Sequence, residues 1–265
     1  MDVWDGGSTR YGAIDPAGAA GLTDVVFDYF HYVDVGANGG AVRLDETVVT
    51  TTATLIAPNK VRSAGWFYNQ FDQVVEWVAT SWIDPGSQVY QTRLDFTTSG
   101  IFGAIRMISY LDEDVYSYWT NHLIVLGSGA NVQLLTLDSS ENVGVAQAVQ
   151  GLSNVQYLGW AADEYADLKN AIQGSGASYS IAGVVDLPPI TDPRYPGLPA
   201  YGPRDITTAF AFDLAPGQSS ASLIFALGGS PSGQPPMPVI PEPGTMTLLG
   251  VGLLPPLLSL RKRTR

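Results

Sequence analysis

Residues 25–35 of the chain read VVFDYFHYVDV, and their pattern decides the class of fold. Side chains alternate between the two faces of an extended strand. One face of this stretch is therefore formed by Val25, Phe27, Tyr29, His31, Val33 and Val35. The other face carries Asp28 and Asp34 together with Val26, Phe30 and Tyr32. The alternation predicts a long β-strand with one strongly apolar face.

Further segments of this kind follow, separated by turns rich in glycine and proline. They lie at residues 41–54, 65–68, 74–82, 89–97, 101–111, 123–126, 132–137, 206–214 and 222–227. One helix is predicted at 161–173, where Tyr165, Leu168 and Ile172 recur at three- and four-residue steps. A long surface loop is predicted at 188–203. The pattern predicts an all-β protein, a β-sandwich of jelly-roll or supersandwich-like type with one short helix.

The composition excludes several classes of function. The 265 residues include no cysteine, which excludes disulfide bonds, thiolate metal sites and a cysteine nucleophile. The formal net charge of −12 argues against nucleic acid as a partner, because phosphate binding depends on Lys and Arg. Residues 1–240 hold 24 acids and 9 bases, a net charge of −15, whereas the C-terminus is basic. This asymmetry predicts a targeting or membrane element at the C-terminus.

That C-terminus has three parts in a fixed order. It begins with Pro241, Glu242 and Pro243, continues with the uncharged residues 245–260, and closes with Arg261, Lys262, Arg263 and Arg265. As a helix, the uncharged part would rise about 24 Å, slightly less than the roughly 30 Å thickness of a hydrocarbon core. The basic residues would stay on the cytoplasmic side and the acidic body would lie outside. The sequence therefore predicts a single-pass hydrophobic segment at 245–260.

The same order of parts resembles the PEP-CTERM sorting segment of Gram-negative bacteria, which is also labelled an ice-binding-protein C-terminal domain. The resemblance implies export, transient anchoring in the inner membrane, and cleavage near Pro241-Glu242-Pro243 by an exosortase-type sorting protease. It implies a place in the cell envelope or the extracellular matrix, and it makes polysaccharide a candidate partner. Because residues 1–7 lack the basic and apolar regions of a signal peptide, we expect the true N-terminus upstream.

The expected organisation has three parts. An acidic β-sandwich domain spans residues 1–228, and a linker rich in proline, glycine and serine spans 229–240. The sorting segment then spans 241–265, with its membrane-spanning part at 245–260.

Acidic residues supply two candidate sites. Asp112, Glu113 and Asp114 form the densest cluster, which is a weak candidate for Ca²⁺ because that ion prefers oxygen ligands. The alternative interpretation is a set of solvated charges at the end of a strand. A second group, formed by Asp163, Glu164 and Asp167, is placed at the start of the predicted helix. There the helix dipole explains the acidic side chains without a catalytic role.

Histidines and aromatic residues complete the candidates. His31 is predicted to be a hydrogen-bonded core residue, and His122 is the better candidate for acid–base chemistry. A glycosidase would need two carboxylates and aromatic rings that stack on sugars. The aromatic candidates are Trp66, Phe67, Tyr68, Trp77, Trp82, Tyr116, Tyr118, Trp119 and Trp160. Aromatic rings are also ordinary core residues, so they do not identify a catalytic site.

Two functional hypotheses remain. The first is a non-enzymatic exported protein of the cell envelope or extracellular matrix. The alternative is a carbohydrate-binding or carbohydrate-active sandwich of the galactose-mutarotase-like type. No hydrolase elbow, zinc motif or phosphate loop occurs in the sequence.

Overall fold

The computed structural model describes residues 2–3, 5–12, 26–36, 40–84, 89–113, 115, 118–138, 144–175, 183–184 and 186–230. Within these residues the chain forms two β-sheets with one α-helix. Nearly all strand pairs are antiparallel; β13 (Val155–Glu164) and β14 (Gly183–Val184) run parallel. The predicted all-β sandwich with one short helix is confirmed.

The smaller sheet has eight strands. Its order is β1 (Asp2–Val3), β2 (Thr9–Gly12), β3 (Val26–Asp34), β9 (Ile105–Asp112), β17 (Ile206–Leu214), β13 and β14, and β4 (Val42–Arg43) pairs with β3. The strand predicted from residues 25–35 is therefore β3, which lies inside this sheet rather than at its edge. Helix α1 (Asp167–Ser175) packs on the sheet's outer face.

The larger sheet has ten strands. Its order is β15 (Pro189–Ile190), β16 (Ala200–Arg204), β10 (Asn121–Leu126), β11 (Gln133–Asp138), β12 (Gly144–Ser153), β18 (Ser220–Ser230), β8 (Tyr90–Thr98), β7 (Val74–Ile83), β6 (Lys60–Tyr68) and β5 (Val48–Ala57). Strand β5 forms one edge of the sheet and β15 forms the other.

The main core lies between the two sheets and is rich in aromatic side chains. Trp77, Phe96, Phe210 and Phe225 are almost completely buried there. The indole Nε1 of Trp77 donates a hydrogen bond to Thr47 Oγ1 at 2.9 Å, so its polar atom is satisfied. Each such side chain contributes on the order of 2 kcal/mol by its burial.

A second core lies between the small sheet and α1. Phe30, Tyr32 and Ile108 from the sheet contact Leu168 and Ile172 from the helix. Strand β3 is therefore buried on both faces, which is why its second face also carries large apolar side chains.

The structure corrects several predicted boundaries. The helix was predicted at 161–173, but residues up to Glu164 belong to β13. Ala161 and Ala162 pair with Ala209 and Thr208 of β17, and this pairing overrides their helical preference. Strand β12 was not predicted, and the predicted surface loop at 188–203 contains β15 and most of β16.

The predicted C-terminal elements cannot be compared with the fold. Strand β18 continues to Ser230, and residues 231–265 lie outside the described residues. Both the sorting motif and the predicted membrane segment fall in that region. Among the described residues, none of the helices has the length and hydrophobicity that a membrane span requires.

Candidate functional site

The acidic cluster at 112–114 is divided between two environments. Asp112 pairs in register with Asp28 on β3, on the sheet face that α1 covers, and it is 1% exposed. Glu113 is completely buried and reaches the larger sheet, where Thr136 Oγ1 donates to its Oε1 at 3.1 Å. Asp114 lies outside the described residues. The two described side chains are buried, so the interpretation as solvated charges is wrong for Asp112 and Glu113.

The candidate Ca²⁺ site at residues 112–114 leads to the question of metal sites elsewhere in the described residues. Within the described ranges, no group of three His, Cys, Asp or Glu side chains is arranged to hold a metal ion.

Glu113 belongs to a polar network inside the sandwich. Thr208 Oγ1 lies 3.0 Å from Glu113 Oε1 and 3.0 Å from Gln147 Oε1, and Gln147 Nε2 donates to Ser109 Oγ at 3.3 Å. Burial raises the pKa of Glu113 well above its ordinary value, although the threonine hydrogen bonds oppose this shift. This environment favours the neutral acid, which suits a structural role in the core.

His31 is also a core residue, but not the hydrogen-bonded one predicted from sequence. Its ring stacks on Phe225 at 4.6 Å and meets the edge of Tyr29 at 4.9 Å. Neither ring nitrogen has a hydrogen-bond partner within the described part of the chain. Burial lowers the pKa of His31 to about 3, so the ring is neutral at ordinary pH.

His122 is part of an ion-paired cluster on the larger sheet. Its Nδ1 lies 3.0 Å from Asp192 Oδ2, and Arg194 binds the same carboxylate through Nε at 2.9 Å and through NH2 at 2.6 Å. Arg194 also donates to the backbone oxygen of Asp138 at 2.8 Å. The guanidinium holds the pKa of Asp192 well below its usual range. These bonds fasten the loop before β16 to β10 and β11, which indicates a structural role for His122.

The acids predicted at the helix start are also separated. Asp163 and Glu164 belong to β13, and Asp167 is the one that occupies the first turn of α1. Burial raises the pKa of Asp163 above its ordinary value. Pairing with β17 therefore moved two of the three acids out of the helix.

Aromatic residues divide between the interior and the surface. Trp77 is buried in the main core, and Trp160 is partly buried against the same core. Phe67 is 8% exposed, whereas its neighbours Trp66 and Tyr68 point to the opposite, solvent-facing side of the large sheet. The alternation along β6 therefore splits the predicted aromatic group into one core residue and two surface residues.

The solvent-facing side of β6 forms a continuous strip that we call the β6 face. It consists of Lys60, Arg62, Ala64, Trp66 and Tyr68. Five alternate positions extend over about 26 Å at 3.3 Å per residue. On β7, Trp82 is paired with Lys60, Thr80 with Arg62, and Glu76 with Trp66. Two cations thus stand at one end of the strip and two aromatic rings at the other.

The aromatic end of the β6 face opens into a cleft of about 380 Å³ between the edges of the two sheets. The rings of Trp66 and Tyr68 lie 5.0 Å apart and nearly perpendicular, at 74°. Tyr68 is 54% exposed, and the cleft continues over Val42 and Val48, which are also exposed. Glu46 is the one acid among the described residues that line it. The arrangement offers an apolar, aromatic surface with one carboxylate at its margin.

The two cations of the β6 face differ from the other described basic side chains in their lack of an ion pair. Among the basic side chains that the structure describes, six form ion pairs with acids: Arg43, Arg93, Arg106, Lys169, Arg194 and Arg204. The two others in that set are Lys60 and Arg62, which share one face of one strand. Lys60 Nζ lies 5.3 Å from the centre of the Trp82 ring, within cation–π range.

Both aromatic residues of this face, Trp66 and Tyr68, were among the candidates predicted from the sequence, but neither cation was. The signal was present in residues 60–68, KVRSAGWFY, because period-two alternation places both cations on the same side as Trp66 and Tyr68. Only the burial of Phe67 shows which side faces solvent.

Comparison with known proteins gives little further information. No protein-family model and no curated protein matches the chain. Among solved structures, it is similar to a putative kojibiose phosphorylase from human microbiome, with 7% sequence identity and a TM-score of 0.42. The match covers 83% of this chain and 23% of that one, so the chain spans about a quarter of the enzyme's length. At this level of similarity, the activity of that enzyme says nothing about this chain.

Proposed function

We propose that the chain is an exported, non-enzymatic protein of a Gram-negative cell envelope or extracellular matrix. The observation that supports export is the order of parts at residues 241–265: Pro241-Glu242-Pro243, an uncharged stretch, and a basic end. In this proposal the uncharged stretch anchors the chain transiently in the inner membrane, with the basic end inside. The sandwich, which carries most of the acidic residues, then lies outside.

Replacement of Glu242 by Ala tests the sorting proposal. In a host that contains an exosortase, the full-length wild type is expected to yield a shortened mature protein, and the variant is expected to keep its C-terminus. Mass spectrometry of the envelope fraction measures this directly. Glu76→Ala, on the exposed outer face of β7, is the control and should be processed like the wild type. An identical mature mass for wild type and Glu242→Ala would contradict the proposal.

Carbohydrate binding is the second candidate function, and the half-buried ring of Trp66 beside the exposed ring of Tyr68 favours it. Accessible aromatic rings can pack against the apolar faces of sugars. Here they lie beside a cleft, which is the usual position of a small-molecule binding site. We propose binding without bond cleavage. Glycosidic cleavage requires two carboxylates that flank the bond, and Glu46 is the one acid among the described cleft residues.

Trp66→Ala combined with Tyr68→Ala is expected to weaken binding of a soluble β-glucan on the order of tenfold, because each variant removes a stacking surface. Affinity electrophoresis of the full chain measures the change. Trp119→Ala is a matched control, since Trp119 is 57% exposed and lies before β10, away from the cleft. Unchanged melting temperatures establish that all variants are folded. Equal weakening by Trp119→Ala would contradict a site at the cleft.

A further inference from the structure

We propose that the β6 face binds an acidic polysaccharide, whose sugar rings stack on Trp66 and Tyr68 while its carboxylates pair with Lys60 and Arg62. This inference rests on the proposed carbohydrate binding and adds the chemical class of the ligand. The proposed ligand carries uronate-type carboxylates along an extended chain.

The first support is the distribution of charge. Residues 1–240 hold 24 acids and 9 bases, yet Lys60 and Arg62 form no ion pair within the described part of the chain. Arg62 is exposed and Lys60 is half-buried against Trp82. With so many acids present, two cations on one strand face that have no ion-pair partner among the described residues are available to an external anion.

The second support is the geometry of the strip. Arg62 and Trp66 are four residues apart on the same face of β6, which corresponds to about 13 Å. Lys60 is about 20 Å from Trp66 on the same basis. One sugar unit cannot bridge these distances, so the ligand must be an oligomer that lies along the strand. Thr80 of β7 is paired with Arg62 and adds a hydroxyl beside the path.

The overall negative charge of the protein does not prevent this binding. At physiological ionic strength, charges separated by more than about 8 Å are largely screened from each other. A bound carboxylate would therefore respond mainly to Lys60, Arg62 and their immediate neighbours. Glu76 lies opposite Trp66, at the aromatic end of the strip rather than beside the cations.

Polygalacturonate oligomers and their methyl esters provide matched probes, because esterification removes the charge of each carboxyl group and adds only a methyl group. The full chain is expected to bind the free acid several-fold more tightly than the ester at about 150 mM salt, and the preference should shrink at about 1 M, where charges are screened within about 3 Å. Lys60→Gln combined with Arg62→Gln should remove the preference, with a loss of roughly three- to fivefold per cation. Isothermal titration calorimetry measures these affinities.

Arg204→Gln is the control, because it removes one exposed cation that is paired with Glu164 on another part of the surface. It should keep the preference for the free acid. Equal affinity of the wild type for acid and ester would overturn this inference and leave carbohydrate binding intact. Binding of neither probe nor of β-glucan would overturn both proposals. Equal binding of single-stranded DNA and polygalacturonate would also overturn the inference, since it would show attraction to any polyanion.

Discussion

Asp192→Asn is expected to lower the free energy of unfolding by about 3 kcal/mol near neutral pH, because it leaves a partly buried cation without its counter-charge. The carboxylate of Asp192 is completely buried and binds both Arg194 and His122. Asparagine keeps the size of the side chain but provides one acceptor oxygen and no charge. The loop before β16 should therefore be held less firmly on β10 and β11.

This effect should depend on pH. The pKa of Asp192 is lower in the folded protein than its ordinary value of 3.8. Its contribution to stability is then fully present above that ordinary value and is lost as the pH falls through the lower folded value. The difference between the wild type and Asp192→Asn should be largest near neutral pH and should narrow in acid.

Urea unfolding at about pH 7 and about pH 3 measures both parts of this prediction. Asp95→Asn is the control, because Asp95 is 34% exposed and its pair with Arg93 is solvated. Its replacement should cost at most about 1 kcal/mol. Equal losses for the two variants near neutral pH would show that Asp192 does not hold the loop in the way described.

Glu113→Gln is expected to raise the free energy of unfolding relative to the wild type, whereas Asp192→Asn lowers it. The gain should increase as the pH rises. The pKa of Glu113 is raised well above its ordinary value of 4.5, so the folded state retains a proton that the unfolded chain releases. Below that ordinary value both states are protonated, and wild type and variant should be similar. Above it the wild type should lose about 1.4 kcal/mol per pH unit until the folded pKa is reached.

Glutamine mimics the protonated acid, since its oxygen can accept the hydrogen bonds of Thr136 and Thr208. The advantage of Glu113→Gln over the wild type should therefore grow between about pH 4 and about pH 7, as measured by urea unfolding. Glu76→Gln, at an exposed position, should show no such trend. A constant difference at every pH would mean that folding does not raise the pKa of Glu113.

Ion pairing distinguishes the two cations of the β6 face from the other described basic side chains. Six of the described basic side chains form ion pairs: those of Arg106, Lys169 and Arg204 join different elements, and those of Arg43, Arg93 and Arg194 bind an acid two residues away in the chain. Lys60 and Arg62 have no comparable structural partner in the described region. Their replacement should therefore change ligand affinity with little effect on stability, which separates a binding role from a structural one.

Local sequence pattern was sufficient to predict the all-β class and many of the strands. Alternation is a property of consecutive residues, so β3, β7, β8 and β17 could be recognised without their partners. The same reasoning failed at residues 161–164, where Ala161 and Ala162 favour helix locally but pair with β17. Pairing energy depends on a partner 46 to 48 residues away, which a local pattern does not contain.

The chemistry of individual residues depended even more on tertiary contacts. Alternation places the consecutive acids Asp112 and Glu113 on opposite faces, but it does not show that α1 covers one face and the larger sheet the other. His122 and Asp192 are 70 positions apart, and only the packing of the loop on β10 brings them together. Composition and periodicity therefore determine which strands can form and where charge accumulates along the chain. Burial, partner and pKa are properties of three-dimensional neighbours, so they became known only from the folded arrangement.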